Sequence, residues 1–227
     1  MIRLAPLAFE FAFLFLLVPL IICLRRIPNL PIAYLLLAAL AAFFLLRADA
    51  SYPPGSLLAW NGVRPLLLPL LFRDGVLLVF LGLAVWLFAP SLLFSFVKRA
   101  PLLWATVFVL YPFVSVFPQE LLYRTFFFHR YLLLFGSGWG MVLFSALAFG
   151  YGHIVLRNRL AVLLSLLGGF LFASTYERSG SLLLTCVEHA LFGNFLFTIG
   201  LGQFFYAAPC PGSRPPTILL PQKPRAR

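Results

Sequence analysis

The sequence predicts an all-α protein, a polytopic transmembrane helix bundle of about seven or eight spans. Three observations predict it. Of 227 residues, 63% are hydrophobic and only 10% are charged, with a mean hydropathy of +1.02, whereas a soluble domain carries about 25% charged residues. A soluble fold of this length has no interior that would hold so much apolar side chain, so lipid has to solvate much of the surface. The apolar runs approach the roughly 20 residues that cross a hydrocarbon core as helix, and they lack the alternating polar positions of a membrane β-strand.

In order, the spans fall at 7–24, 31–46, 75–97, 101–117, 119–135, 138–154, 160–176 and 182–204. The first has no small-residue cleavage site behind it and runs directly into Arg25-Arg26, so it reads as a retained helix rather than a signal peptide. The second is short for a span. Residues 53–72, with Pro53-Pro54, Trp60, Asn61, Arg64 and Pro65, are broken and amphipathic, which suits the interface or a partial span. Lys98-Arg99 and Pro101 precede the fourth span. Pro118 opens the fifth, at a first-turn position where proline is tolerated, and Gly136-Ser137-Gly138 closes it. Residues 177–180 form a polar turn before the last span. The membrane domain covers 1–206, and the Pro- and Arg-rich tail 207–227 reads as disordered.

The net charge of +11 is spread as single or paired residues between apolar runs, the pattern of charges that orient membrane helices. No basic face with interleaved aromatics is present, which excludes a nucleic-acid partner; the expected surroundings are membrane lipids. If every span crosses, Arg3, Arg47, Arg64, Arg73, Arg157, Arg159 and the tail's basic residues share one side. Arg25, Arg26, Lys98, Arg99, Arg130 and Arg178 share the other. The first set is larger, so that side, with the N-terminus, is expected in the cytoplasm. Cys23, Cys186 and Cys210 are odd in number and widely spaced, and form neither a disulfide framework nor a metal motif. This composition suits a bacterial inner membrane.

The chain has six acids and three histidines. Asp49, Asp74 and Glu177 sit at expected span ends, Glu10 snorkels, and His129 beside Arg130 reads as interfacial. Glu120, Glu188, His153 and His189 remain. An ionisable group inside a membrane costs at least about 2.5–3.5 kcal/mol on insertion scales, so these are functional candidates. Glu120 and Arg124 are four apart and can pair on one helical face. Glu120 also falls in the expected first turn of its span, where the helix dipole favours an anion. Phe149 and His153 share a face of the sixth span, and Gly150 and Gly152 permit close approach. Glu188, His189 and Asn194 crowd the eighth. A carboxylate, two imidazoles and a carboxamide around one half-buried water form a composition suited to general-base hydrolysis with oxyanion stabilisation.

These elements resemble a known family. Gln119-Glu120-x-x-x-Arg124, then Phe149-x-x-x-His153, then His189 with Asn194, are similar to the EExxxR, FxxxH and HxxxN signatures of the CAAX protease and bacteriocin-processing (CPBP) family, in that order on successive helices. The resemblance covers about residues 100–204. It implies an intramembrane endopeptidase that uses an activated water on a membrane-anchored protein or peptide substrate. By position, His153 activates water, and His189 and Asn194 stabilise the oxyanion. Glu120 is the second motif glutamate with Arg124 as its ion partner, and Gln119, Phe149 and Glu188 support the site. No cofactor is expected; zinc on His153, His189 and a carboxylate is possible, but the resemblance points to a metal-free water site.

The chain departs from the pattern twice. Gln119 stands where the family has its first glutamate, and a carboxamide is no proton acceptor at neutral pH although it can position water. The base is then Glu120, Glu188 or a less assisted His153, or the protein is a non-catalytic membrane binding or scaffold protein. Asn194 is five residues after His189 instead of four, so the two side chains diverge on a regular α-helix. A π-bulge at Gly193 would realign them. A third class, a small proton-coupled transporter, is disfavoured by the absence of paired broken repeats.

Overall fold

The computed structural model describes residues 4–25, 30–53, 57 and 63–205. The tail 207–227 and Trp60-Asn61 lie outside the described residues. Among the described residues six helices are long and apolar enough to cross a membrane: α1 (Leu4–Arg25), α2 (Leu30–Ala48), α3 (Arg64–Phe88), α4 (Pro101–Arg130), α5 (Trp139–Leu156) and α6 (Arg159–Ser179). A shorter apolar helix, α7 (Leu182–Thr198), follows, and no strand occurs among the described residues. The chain is an all-α, polytopic membrane protein.

Large apolar side chains on the outside confirm lipid as the solvent. Phe88 is 87% exposed, Leu102 83% and Leu68 77%, which water would not tolerate on this scale. The interior is aromatic where α1, α2, α4 and α5 meet. Phe15 and Phe127 are fully buried and meet edge to face at 5.3 Å, and Phe11 packs in the same way on Phe127 and Tyr131. Such pairs add roughly 0.5–1.5 kcal/mol each beyond their area. Small residues bring α5 and α6 together. A Cβ on Gly150 would lie 3.0 Å from the Leu166 Cα, and one on Gly169 would lie 3.2 Å from Ala146 Cα. Caps mark the turns. Asn158 accepts from the Leu160 and Ala161 amides to start α6, and Ser181 accepts from Leu184 to start α7. Gly180 takes the left-handed conformation that closes α6.

Two sequence expectations are corrected. The fourth and fifth spans are one helical run, α4, which passes both Pro112 and Pro118. An interior proline costs about 3 kcal/mol in a regular helix, through a lost hydrogen bond and a ring clash with the carbonyl four residues back. Here the turn Pro112–Val116 is π-helical and Phe117 N–H reaches back to the Pro112 carbonyl, giving the chain a wider path. A second π stretch runs over Leu121–Phe126. Glu120 therefore lies deep in α4 and not in a first turn. The third span starts at Arg64, not at residue 75, so Asp74 is an intrahelical residue only 5% exposed and not a loop charge.

Merging two spans regroups the charges. Arg130 pairs with Glu10 at 2.6 Å and His129 with Asp49 at 3.0 Å, tying the end of α4 to the start of α1 and the end of α2. The Ser51 hydroxyl and backbone N–H, followed by His129, hold the Asp49 carboxyl below the usual carboxylate range. Among the described residues at helix ends, Arg47, Arg64, Arg130 and Arg178 now share one face. Arg25, Lys98, Arg99, Arg157 and Arg159 share the other, where Arg157 donates to the Cys23 carbonyl. The two sets are nearly equal, so the described basic residues at helix ends favour neither orientation.

Candidate active site

Glu120 and Arg124 sit on α4, Phe149 and His153 at the end of α5, and His189 near the middle of α7. Packing α7 between α4 and α6 brings them together. His189 Nδ1 lies 2.8 Å from Glu120 Oε1, and since an ionised carboxylate only accepts, Nδ1–H is the donor. Arg124 Nε lies 3.2 Å from the other carboxylate oxygen, as an ion pair out of hydrogen-bond alignment. Both side chains are fully buried. Arg124 is further held by Ser145 Oγ at 3.0 Å and by the Phe149 ring, 4.8 Å from its centroid. The buried carboxylate thus faces one imidazole donor and one guanidinium, compensation that a buried ion requires.

The two imidazoles flank Phe149. Its ring lies 4.7 Å from that of His153 and 5.6 Å, edge on, from that of His189. Phe172 of α6 stacks on the other side of His189 at 4.6 Å. His153 Nδ1–H donates to the Phe149 carbonyl at 2.8 Å, which fixes the tautomer and leaves Nε2 with a lone pair. His189 Nε2 is 3.0 Å from the Tyr111 hydroxyl.

These groups open on a cavity of about 890 Å³ whose walls include His153, His189, Tyr111, Ser115 and Gln119. The remaining wall is mainly apolar. Gln119, with Nε2 donating to Ser115 Oγ at 2.7 Å, keeps a buried Oε1 without a protein partner. Glu120 and Arg124 stand behind His189 and do not line the cavity.

The other candidates sit elsewhere. Glu188 turns away from the cavity and pairs with Arg73, which also contacts Asp74 at 2.8 Å and Thr175 at 3.3 Å. The helix through 189–194 is regular α, so the expected π-bulge at Gly193 does not form. Asn194 accordingly points away from His189. Pro112 has no N–H for the Phe108 carbonyl, and Asn194 Nδ2 donates to it at 3.1 Å. The π turns fall instead on α4, over Pro112–Val116 and Leu121–Phe126, and on α1, over Ala12–Leu17.

A zinc site does not fit these donors. One nitrogen of His153 and both of His189 are engaged, and among the described residues no group of three His, Cys, Asp or Glu side chains is arranged to hold a metal. Sequence reasoning missed Tyr111, Ser115 and Arg73. A signal for the first two existed: Tyr111, Ser115 and Gln119 are spaced by four and form a polar stripe on an otherwise apolar helix.

Residues 100–195 match the family model of Rce1-like type II CAAX prenyl endopeptidases. No curated protein and no solved structure matches the chain. The matched stretch contains α4, α5, α6 and most of α7, and with them Glu120, Arg124, Phe149, His153 and His189. Through this stretch the chain, an integral membrane protein, is similar to the CAAX protease family, whose activity is of the intramembrane endopeptidase type.

Proposed function

We propose that this protein hydrolyses peptide bonds of membrane-anchored proteins or peptides inside the bilayer, through a water activated by His153. The observation that carries the reading is the meeting of His153 and the Glu120-backed His189 on the wall of one apolar cavity. His153 Nε2 is the lone-pair nitrogen available to take a proton from water, the work of a general base. Gln119 Oε1 accepts a hydrogen bond from the same water and so orients it. Glu120 acts as a positioning residue that fixes His189 by its Nδ1–H, and His189 serves the developing oxyanion. Asn194, by holding the Phe108 carbonyl, steadies the turn of α4 that carries Tyr111. The apolar walls, with Ile32, Leu77, Phe80 and Leu167, suit a lipid-bearing segment. The prenylated CAAX class in the family's name is therefore the first substrate to test. No step needs a metal.

The test is cleavage of membrane-anchored peptides, prenylated and not, by the purified chain in lipid discs. Wild type is expected to cut, and His153→Ala and His189→Ala to lose the activity while remaining folded. Equal activity in all three would defeat the assignment. One observation favours a second reading, a non-cleaving member that binds such segments: Gln119 holds a carboxamide where the family pattern has a carboxylate. Gln119→Glu separates the two. Under the peptidase reading it changes kcat by less than about tenfold. A protein that gains cleavage only with that substitution is a binder in its natural form.

A further inference from the structure

The site's hydrogen-bond donors include a group from outside the three motifs. Gly193 is four residues after His189, hence on the same face of α7 and one turn on. A Cβ there would collide with the Tyr111 ring and hydroxyl. The space beside His189 that a side chain at 193 would fill is taken by a phenol from α4. Asn194 is engaged with Phe108 and absent from the cavity wall, whereas Tyr111 lines the cavity. Tyr111 is also held: its ring meets His189 edge on at 6.0 Å and Phe197 at 5.2 Å. Its hydroxyl lies 3.0 Å from His189 Nε2.

We propose that the Tyr111 hydroxyl is a catalytic residue, the oxyanion donor of this site, acting beside His189 in the space left open by Gly193. The inference rests on the peptidase reading. In the step it serves, the water oxygen forms a bond to the scissile carbonyl carbon, the carbonyl π pair moves onto its oxygen, and the water proton passes to His153 Nε2. The phenol O–H donates to the oxyanion and keeps its proton throughout. On collapse the pair reforms the carbonyl, the C–N bond breaks, and the proton on His153 passes to the departing amine nitrogen. With hydrogen on both His189 nitrogens, Nδ1–H is given to Glu120 and Nε2–H to the phenol oxygen, which then donates its own hydrogen to the substrate, so contact with His189 and contact with substrate are compatible. Donors fixed before the reaction are worth most, because no reorganisation opposes them.

The experiment uses the full chain in lipid discs with a fluorogenic membrane-anchored peptide and a phosphinate analogue of that peptide as a tetrahedral mimic. Tyr111→Phe is expected to lower kcat about 10²- to 10³-fold with KM within twofold. It should weaken the phosphinate at least tenfold and leave affinity for the intact peptide unchanged. The double variant Tyr111→Ala/Gly193→Asn, which puts a carboxamide in the same space, is expected to regain at least tenfold over Tyr111→Ala. That recovery decides the matter even if Tyr111→Phe misfolds. A folded Tyr111→Phe with wild-type kcat and phosphinate affinity overturns the proposal and leaves the peptidase reading standing. A rise in KM alone also overturns it. Folded wild type that neither cleaves nor binds the phosphinate overturns both.

Discussion

Glu188 and His189 are neighbours in sequence, yet they belong to two different polar clusters. Successive residues on an α-helix point about 100° apart, so Glu188 turns toward α3 and α6 while His189 turns toward α4 and the cavity. Each cluster holds a buried glutamate beside an arginine: Glu188 with Arg73, and Glu120 with Arg124. The partners beyond that pair differ. Around Glu188 they are Asp74 and Thr175, and the group closes on itself without reaching the cavity wall. Around Glu120 an imidazole stands between the carboxylate and the cavity, so the charge acts on a side chain that a substrate can touch. Pairing alone answers the cost of burying a carboxylate. Chemistry needs, in addition, a polar side chain at the boundary between the ion pair and a space of substrate size.

The largest expected effect breaks the comparison most directly. His153→Ala removes the base, which supplies roughly 10²- to 10⁴-fold in known cases, so kcat should fall about 10³-fold with thermal stability nearly unchanged. Glu120→Gln should cost about 10²-fold, because the carboxamide no longer fixes His189 as a carboxylate does. Cleavage kinetics and melting of the same samples check both. If His153→Ala cuts at the wild-type rate, the cavity cluster has no more chemical role than the Arg73 cluster.

The other cluster should fail in the opposite way. Arg73→Ala leaves Asp74 and Glu188 together without their cation. Breaking a buried pair costs about 3–5 kcal/mol, and because the Arg73 side chain is 28% exposed and partly hydrated, about 2 kcal/mol is the fitting estimate here. Unfolding of the reconstituted protein should show that loss, while kcat per folded molecule stays within twofold. A tenfold drop in kcat at unchanged stability would join the two clusters into one site.

Helical class and membrane character were legible because apolar run length and the scarcity of charge report the solvent directly. The order of Glu120, His153 and His189 along the chain carried the family. Span boundaries were not legible at Pro118, because proline signals a helix start only where the backbone cannot widen, and a π turn shows no mark in a residue count. The same merger hid the side on which Arg130 lies, since Glu10 is more than a hundred residues away. Arg73 read as a loop charge because its partner Glu188 is equally distant in sequence. Asn194 was misjudged for a related reason: its partner is a carbonyl exposed by Pro112, a vacancy visible only once both residues are known to share one helix contact.

The smallest expected effect sharpens what separates the two clusters. A chelator such as phenanthroline, added to the protein after metal-free purification, should leave the cleavage rate unchanged within experimental scatter. The reason lies in the donor set. A catalytic zinc takes three protein ligands and one open position, and each ligand must present an unshared pair. His189 gives its two nitrogens to Glu120 and Tyr111, His153 gives one to Phe149, and the Glu120 oxygens face His189 and Arg124. Only His153 Nε2 remains. For a metal to bind, the Glu120–His189 contact would have to open, and the fully buried Arg124 would lose its counter-charge at a cost of several kcal/mol. Loss of activity on chelation, with recovery on added zinc, would mean that the cluster rearranges in the working enzyme and that its likeness to a closed ion pair is the resting state alone.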